Sequence, residues 1–270
     1  MRINNNITAI NSHRQYSINN NNIGKNVEKL SSGFRVNRAA DDAAGLAISE
    51  KMRAQIRGLN MASKNSQDAV SLVQVAEGGM QTIQDILQRM RELAVQSASD
   101  TNVSLDRAAL NLELKQLIAE VDQIATTSEF NEMKLLDGTF TSKLIQAGAN
   151  KGQTMSISIA SMSATKLGAK NLTITTRDMA TVALATIALA LNDVSSQRAK
   201  LGAYQNRLEY KIKNLDNAAE NISAAESRIR DADMAKMMTE FTKNNILFQA
   251  STAMLAQANA LPQGVLQLLG

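Results

Sequence analysis

The chain has 270 residues, a formal charge of +4, a single Pro, a single His, and neither Trp nor Cys. Without Cys there is no disulfide, no thiolate zinc site and no Cys nucleophile, and with His13 alone a two-histidine metal motif is excluded. Residues 1–40 hold Arg2, Arg14, Lys25, Lys29, Arg35 and Arg38 against Glu28, whereas the middle of the chain is balanced. Aromatics are 3%, so the basic end lacks the stacking platforms of a nucleic-acid surface, and no nucleic-acid partner is expected. The longest apolar run, "MATVALATIALAL" (179–191), is shorter than the ~18 residues of a membrane helix. The first residues, "MRINNNITAINSHR", lack the apolar core of a secretory signal peptide.

Apolar residues recur at steps of 3 and 4 from the start, the spacing of one helix face. Ile3, Ile7 and Ile10 open the series, followed by Ile23, Val27, Leu30 and Phe34. Met52, Ile56 and Leu59 continue it, then Val73, Ala76, Met80, Ile83, Leu87, Met90 and Ala94, then Leu110, Leu114, Leu117, Val121 and Ile124. Such heptad-like seams join helices in coiled coils and long bundles. Val70, Val73 and Ala76 step by 3 and 3, which predicts a register shift just before Gly78 and Gly79.

In "LSSGFRVNRAADDAAGLAIS" (30–49) four charges crowd together between Gly33 and Gly45: Arg35, Arg38, Asp41 and Asp42. Adjacent carboxylates on a helix point in different directions, so they make a poor acid–base pair. The stretch reads instead as a joint. Gly33 suits a helix stop, and Asp41 or Asp42 caps the next helix at its positive end. Arg35 and Arg38 stand where they can reach these carboxylates or a neighbouring subunit.

The pattern changes after residue 129. "FNEMKLLDGTF" (130–140) carries the turn signal Asp137-Gly138, and "LIQAGANKGQT" (144–154) gives a short strand and a turn. "MSISI" (155–159) alternates Met155, Ile157 and Ile159 with Ser, a half-buried strand, and "NLTITT" (171–176) is a third candidate. "GANKGQT" lacks the spacing of a phosphate loop. From about Arg177 little interrupts a helix until Pro262, and Leu247, Ala250, Met254, Ala258, Leu261, Val265 and Leu268 again step by 3 and 4. A helix of ~80 residues would reach roughly 120 Å. The expected fold is mainly α: a long rod-like antiparallel helical bundle or coiled coil that pairs the N- and C-terminal segments, with a small β-hairpin element near residues 139–176. A two-helix pair would leave part of each terminal stripe open, and open apolar surface marks an interaction site.

Several stretches resemble the bacterial flagellins. "EKLSSGFRVNRAADDAAGLAISEKMRAQIRGLNMASKNSQDAVSLVQVAEGGM" (28–80) and "ILQRMRELAVQSAS" (86–99) are similar to their N-terminal region. "SSQRAKLGAYQNRLEY" (195–210), "NISAAESRIRDADMAKMM" (221–238) and "QANALPQGVLQLLG" (257–270) are similar to their C-terminal region. "EFNEMKLLDG" and "IQAGAN" match two shorter motifs, with Glu132 where the family usually has Gly and Ala40 where it often has Gly.

The resemblance implies a minimal flagellin without outer variable domains: a structural subunit that polymerises helically into the flagellar filament, neither enzyme nor cofactor protein. Residues 1–41 and 230–270 would form the inner terminal-helix coiled coil, and 42–229 the helical layer outside it, with residues 33–42 as the spoke between them. The self-assembly stripes would be Ile3, Ile7, Ile10, Ile23, Val27 and Leu30 with Leu247, Met254, Leu261, Val265 and Leu268. Partners implied are further copies of the chain, an export chaperone on the C-terminal segment, and the hook-associated and cap proteins. The place implied is the extracellular filament, reached by type III export without a cleaved signal. "QRMRELAVQ" (88–96) resembles the surface read by the vertebrate flagellin-sensing Toll-like receptor, which carries over to Gln88, Arg89, Arg91, Glu92, Leu93, Val95 and Gln96 and extends to Glu113. A hook–filament junction protein, which shares the terminal helices, is the alternative.

Overall fold

The computed structural model describes the backbone of residues 6–269 and the side chains of residues 6–261. Five helices account for most of it: α1 (Ile7–Ser32), α2 (Ala43–Ala98), α3 (Ser104–Thr127), α4 (Arg177–Arg230) and α5 (Met234–Leu269). Two small antiparallel hairpins lie between α3 and α4: β1 (Glu129–Phe130) with β2 (Met133–Lys134), and β3 (Lys143–Gln146) with β4 (Thr154–Ile157). The chain divides into two compact units, one from residues 1–54 and 220–270 and the other from residues 55–219.

In the second unit, α2 buries Ala62, Ser66, Ala69, Val73, Ala76, Met80, Ile83, Leu87, Met90, Ala94 and Ser97 in unbroken alternation of 4 and 3. The register shift expected at Val73–Ala76 is therefore absent, and Val70 lies beside the seam, half-buried. Ser66 and Ser97 hold seam positions that a search for apolar residues skips. α3 repeats the pattern with Asn111, Leu114, Ile118, Val121 and Ala125, so Leu110, Leu117 and Ile124 flank the seam rather than form it. α4 adds Ala180, Ala183, Ile187, Ala190, Val194, Gln197 and Leu201. α4 holds an 18-residue window apolar enough to cross a membrane by length and composition, and one face of its run 179–191 is placed in this core.

The hairpins close over the same core. Met155, Ile157 and Ile159 are buried, as their alternation predicts, and Asp137 accepts the Thr139 N–H at 2.8 Å in the expected turn. The β3–β4 hairpin lies within the expected 139–176 span, and a second hairpin, β1–β2, precedes it. One expectation fails here. "NLTITT" is no strand: the Ile174 N–H donates to Asn111 Oδ1 (3.1 Å) and its carbonyl accepts from Ser97 Oγ (2.5 Å). With both backbone groups held by buried side chains, no ladder partner is required.

In the first unit, α1 runs antiparallel to α5. Asn6 caps α1 by accepting the Ala9 N–H and donates to the Ala258 carbonyl at 2.7 Å. α1 stops where Gly33 turns to φ 74° and returns its N–H to Lys29 (2.9 Å). The uninterrupted helix expected from residue 177 onward does not form, because α4 ends at Arg230. There the Arg35 N–H takes the Arg230 carbonyl (2.7 Å), and the Ala232 N–H takes the Gly33 carbonyl (2.9 Å). Asp233 then caps α5 through the amides of Ala235 and Lys236.

The joint from 33 to 42 divides its charges among distinct tasks. Asp42 caps α2, accepting the Gly45 N–H at 2.8 Å. A Cβ on Gly45 would lie 2.3 Å from the Asp42 carboxylate, so this cap requires glycine there. Asp41 caps the turn itself, accepting the N–H groups of Asn37 and Arg38, with Lys29 3.8 Å away. Of the two partners expected for the arginine side chains, these carboxylates are reached by neither. Arg38 pairs with Glu28 (2.8 Å), and Arg35 donates to the Ile229 carbonyl (2.6 Å). Arg230 stacks over Phe34, 4.9 Å from the ring centre, and also reaches Glu50.

Two outcomes follow from these local structures. The β1–β2 turn places both Asn131 (φ 49°) and Glu132 (φ 64°) in the left-handed region, as a type I′ turn requires. Glu132 pays the Cβ penalty that glycine avoids, so Glu132→Gly raises stability by about 0.5–1 kcal/mol and Glu132→Val lowers it, read from denaturant midpoints. At the joint, the Arg38 amide, then the Asn37 amide and Lys29, hold the Asp41 carboxyl below its ordinary value. A lowered folded-state pKa stabilises above the unfolded value and is lost as pH falls through the folded one. The stability gap between wild type and Asp41→Asn is thus full at neutral pH and closes only below pH ~3.9.

Candidate functional site

The terminal helices meet through a seam that differs from the apolar stripes. On α1 the half-buried and buried positions include Ala9, Ser12, Tyr16, Asn19, Ile23, Asn26 and Leu30, in steps of 3 and 4. On α5 they include Met237, Phe241, Asn244, Phe248, Ser251, Leu255 and Ala258, again in steps of 4 and 3. Tyr16 packs on Phe248 with ring centres 4.9 Å apart. Asn19 Nδ2 donates across the seam to Ser251 Oγ (2.9 Å) and to the Leu247 carbonyl (3.3 Å).

Of the predicted stripe residues, Ile23 and Leu30 belong to this seam. Ile7, Ile10 and Val27 are exposed, as are Leu247, Met254 and Leu261. Ile7 and Ile10, with the also exposed Ile18, lie more than about 100° around α1 from the seam. Leu247, Met254 and Leu261 recur every seven residues, so they form one row along the flank of α5. Ile3 lies outside the described residues, as do the side chains of Val265 and Leu268. Apolar periodicity finds the open faces because the seam itself is rich in Ser and Asn. The signal that marks the seam is the seven-residue recurrence of Ser12, Asn19 and Asn26, matched by Asn244 and Ser251.

At the joint, Gly33, Arg35, Arg38, Asp41 and Asp42 come together as a structural connection. Each aspartate is committed to backbone N–H groups, which accounts for the density of charge without any reacting pair.

The "QRMRELAVQ" stretch lies on the exposed side of α2. Gln88, Arg91, Glu92, Val95 and Gln96 line a shallow groove of about 670 Å³ together with Leu191 of α4. Arg89 bridges Glu113 on α3 (2.9 Å) and Glu92 on its own helix (3.0 Å). Among the residues carried over to the receptor surface, Leu93 is the exception. It is 1% exposed in the helical core, so it does not share that surface.

Other apolar side chains of the second unit were not singled out by sequence. Leu105 and Leu112 on α3, Leu144 on β3, and Val182 and Leu189 on α4 are all largely exposed. Val182 and Leu189 sit seven residues apart, a pattern visible in the sequence but merged there with the buried face of the same run.

The molecule therefore combines long helices in both units, open apolar rows on both terminal helices, and a capped joint. Comparison with known families accounts for this combination. Residues 3–141 match the bacterial flagellin N-terminal helical region, and residues 184–269 match the bacterial flagellin C-terminal helical region. A flagellin of Halalkalibacterium halodurans is 57% identical over 273 aligned positions, with both chains covered in full. The flagellar filament 31.3 kDa core protein of Treponema maltophilum is 50% identical, again with both chains covered in full. The crystal structure of Bacillus cereus flagellin is 32% identical, matches with a TM-score of 0.52, and covers 60% of this chain and 94% of that one. With both ends of the chain matched to the family and two full-length relatives at half or more of all positions, this protein belongs to the bacterial flagellin family.

Proposed function

We propose that this flagellin builds the flagellar filament by burying the open rows of its terminal helices against other copies of itself. The chain is a structural subunit of a helical, self-assembled filament that serves motility outside the cell. The observation that carries the assembly reading is the exposure of Ile7, Ile10 and Ile18 on α1 and of Leu247, Met254 and Leu261 on α5, although both helices are already paired. A pair of helices offers no second layer to cover these rows, whereas stacked copies do. In this reading residues 1–41 and 230–270 form the inner coiled coil, 42–229 the layer outside it, and the capped joint is the spoke.

Several finer points accompany this reading. The open faces of α5 are a suitable ligand for an export chaperone before assembly, and export proceeds without removal of a leader. The hook-associated and cap proteins, which must meet the ends of such a filament, would engage the same rows. The groove formed by Gln88, Arg91, Glu92, Val95, Gln96 and Leu191, with the Arg89–Glu113 bridge beside it, is a surface on which the vertebrate receptor for flagellin can dock. The hook–filament junction alternative gains no support from the full-length relatives, which are flagellins and filament proteins.

Seeded elongation tests the assembly reading. Ile10→Asp places a charge where a neighbour must bury it, at a cost of several kcal/mol, so elongation from filament fragments falls by at least about tenfold. The helicity of the monomer stays at the wild-type level, because Ile10 contacts solvent there. Elongation of Ile10→Asp at the wild-type rate contradicts the assignment.

A further inference from the structure

The cysteine-free chain keeps all of its sulfur in 13 methionines, and the fold sorts them sharply. Met80 and Met90 are fully buried, and Met155, Met162 and Met237 are at most 9% exposed. Among the described residues Met254 is the most exposed methionine, at 62%, followed by Met61 at 57% and Met238 at 50%. It occupies the centre of the Leu247–Met254–Leu261 row. Its neighbours one turn away on either side are Ala250 and Ala258, which are too short to shield a thioether.

We propose that Met254 is an oxidation site through which hydroperoxides block the polymerisation of this flagellin. This inference rests on the assembly reading above. In the reaction, a sulfur lone pair attacks the outer oxygen of the peroxide. The S–O bond forms as the O–O bond breaks, and the departing oxygen takes the proton to leave as water or an alcohol. The sulfur is oxidised by two electrons and the peroxide is reduced by two. The product sulfoxide replaces an apolar side chain with a strong, hydrated acceptor. In the free chain this costs nothing, because the group faces water. In the filament the row must be buried, and a buried acceptor without a donor is expensive. The site is thus reactive while the monomer is free and disabling once the row is to be covered. The reaction is reversible by reduction of the sulfoxide, so the block need not be permanent.

The test treats full-length monomer with hydrogen peroxide, maps oxidised methionines by mass spectrometry and then measures seeded elongation. Met254 gains one oxygen well before Met80 and Met90, and elongation falls by about tenfold as Met254 is converted. Met254→Leu keeps the row apolar and removes the sulfur, so it elongates normally both before and after peroxide. Met254→Gln, a polar side chain of similar length, elongates poorly without any oxidant. Wild type that elongates normally with Met254 fully oxidised overturns the proposal, and so does Met254→Leu that loses elongation to peroxide as fully as wild type. Failure of untreated wild type to elongate would instead strike at the assembly reading itself.

Discussion

The pairing of α1 with α5 occupies one face of each helix, and that face is polar for a coiled coil. Ser12, Asn19 and Asn26 alternate with Tyr16, Ile23 and Leu30 on α1, while Asn244 and Ser251 sit among the seam residues of α5. A polar residue at a seam position specifies register at a cost in stability. Asn19 recovers much of that cost through its two bonds across the seam. Asn26 does not, since its Nδ2 is buried without a partner among the described residues, at an expense of about 1–3 kcal/mol. The terminal pair is therefore well specified but weakly held, and Ile7, Ile10, Leu247, Met254 and Leu261 remain exposed outside its seam. A filament subunit that is exported and then locked in place by its neighbours has use for that arrangement.

The second unit is built on the opposite principle. Its seams on α2, α3 and α4 are apolar over most of their length, and Ser66, Ser97 and Asn111 within them are bonded. Ser97 and Asn111 clamp the backbone of Ile174, and Asp122 accepts the Ala164 N–H at 2.7 Å, so the irregular segment between β4 and α4 is fixed without a strand. Ser63 donates to Asp216 at 2.9 Å, and Arg198 on α4 reaches Gln84 (2.7 Å) and Glu77 (3.4 Å) on α2. This unit keeps its core with no help from another copy, which leaves adaptation to the terminal helices.

Much of this was legible in the sequence, because 3-and-4 periodicity and the absence of Pro predict long helices, and Gly33, Asp41 and Asp42 carry stop and cap chemistry in plain view. The resemblance supplied the family. What apolar periodicity missed has one recurring cause: seams that contain Ser, Asn and Gln. Ser66 hid the continuity of α2, Asn111 displaced the α3 seam by one position, and Asn19 and Asn26 hid the α1–α5 contact. The break at residues 231–233 was missed for a different reason. Asp233 is a recognisable cap, yet α4 also ends because the Gly33 and Arg35 backbone takes its hydrogen bonds, a contact almost 200 residues away in the chain. Leu93 was placed on the receptor surface by motif alone, whereas Met90, Leu93 and Ala94 all point inward on α2.

Hydrogen–deuterium exchange on monomer and filament, read peptide by peptide, tests the central claim most directly. The account predicts that peptides covering residues 7–30 and 236–261 exchange rapidly in the monomer, because a weak polar seam holds them, and slow strongly in the filament. Peptides from the α2 and α4 core seams should already be protected in the monomer and change little. Terminal helices that exchange as fast in the filament as in the monomer would contradict the claim that their outer rows are buried by other copies.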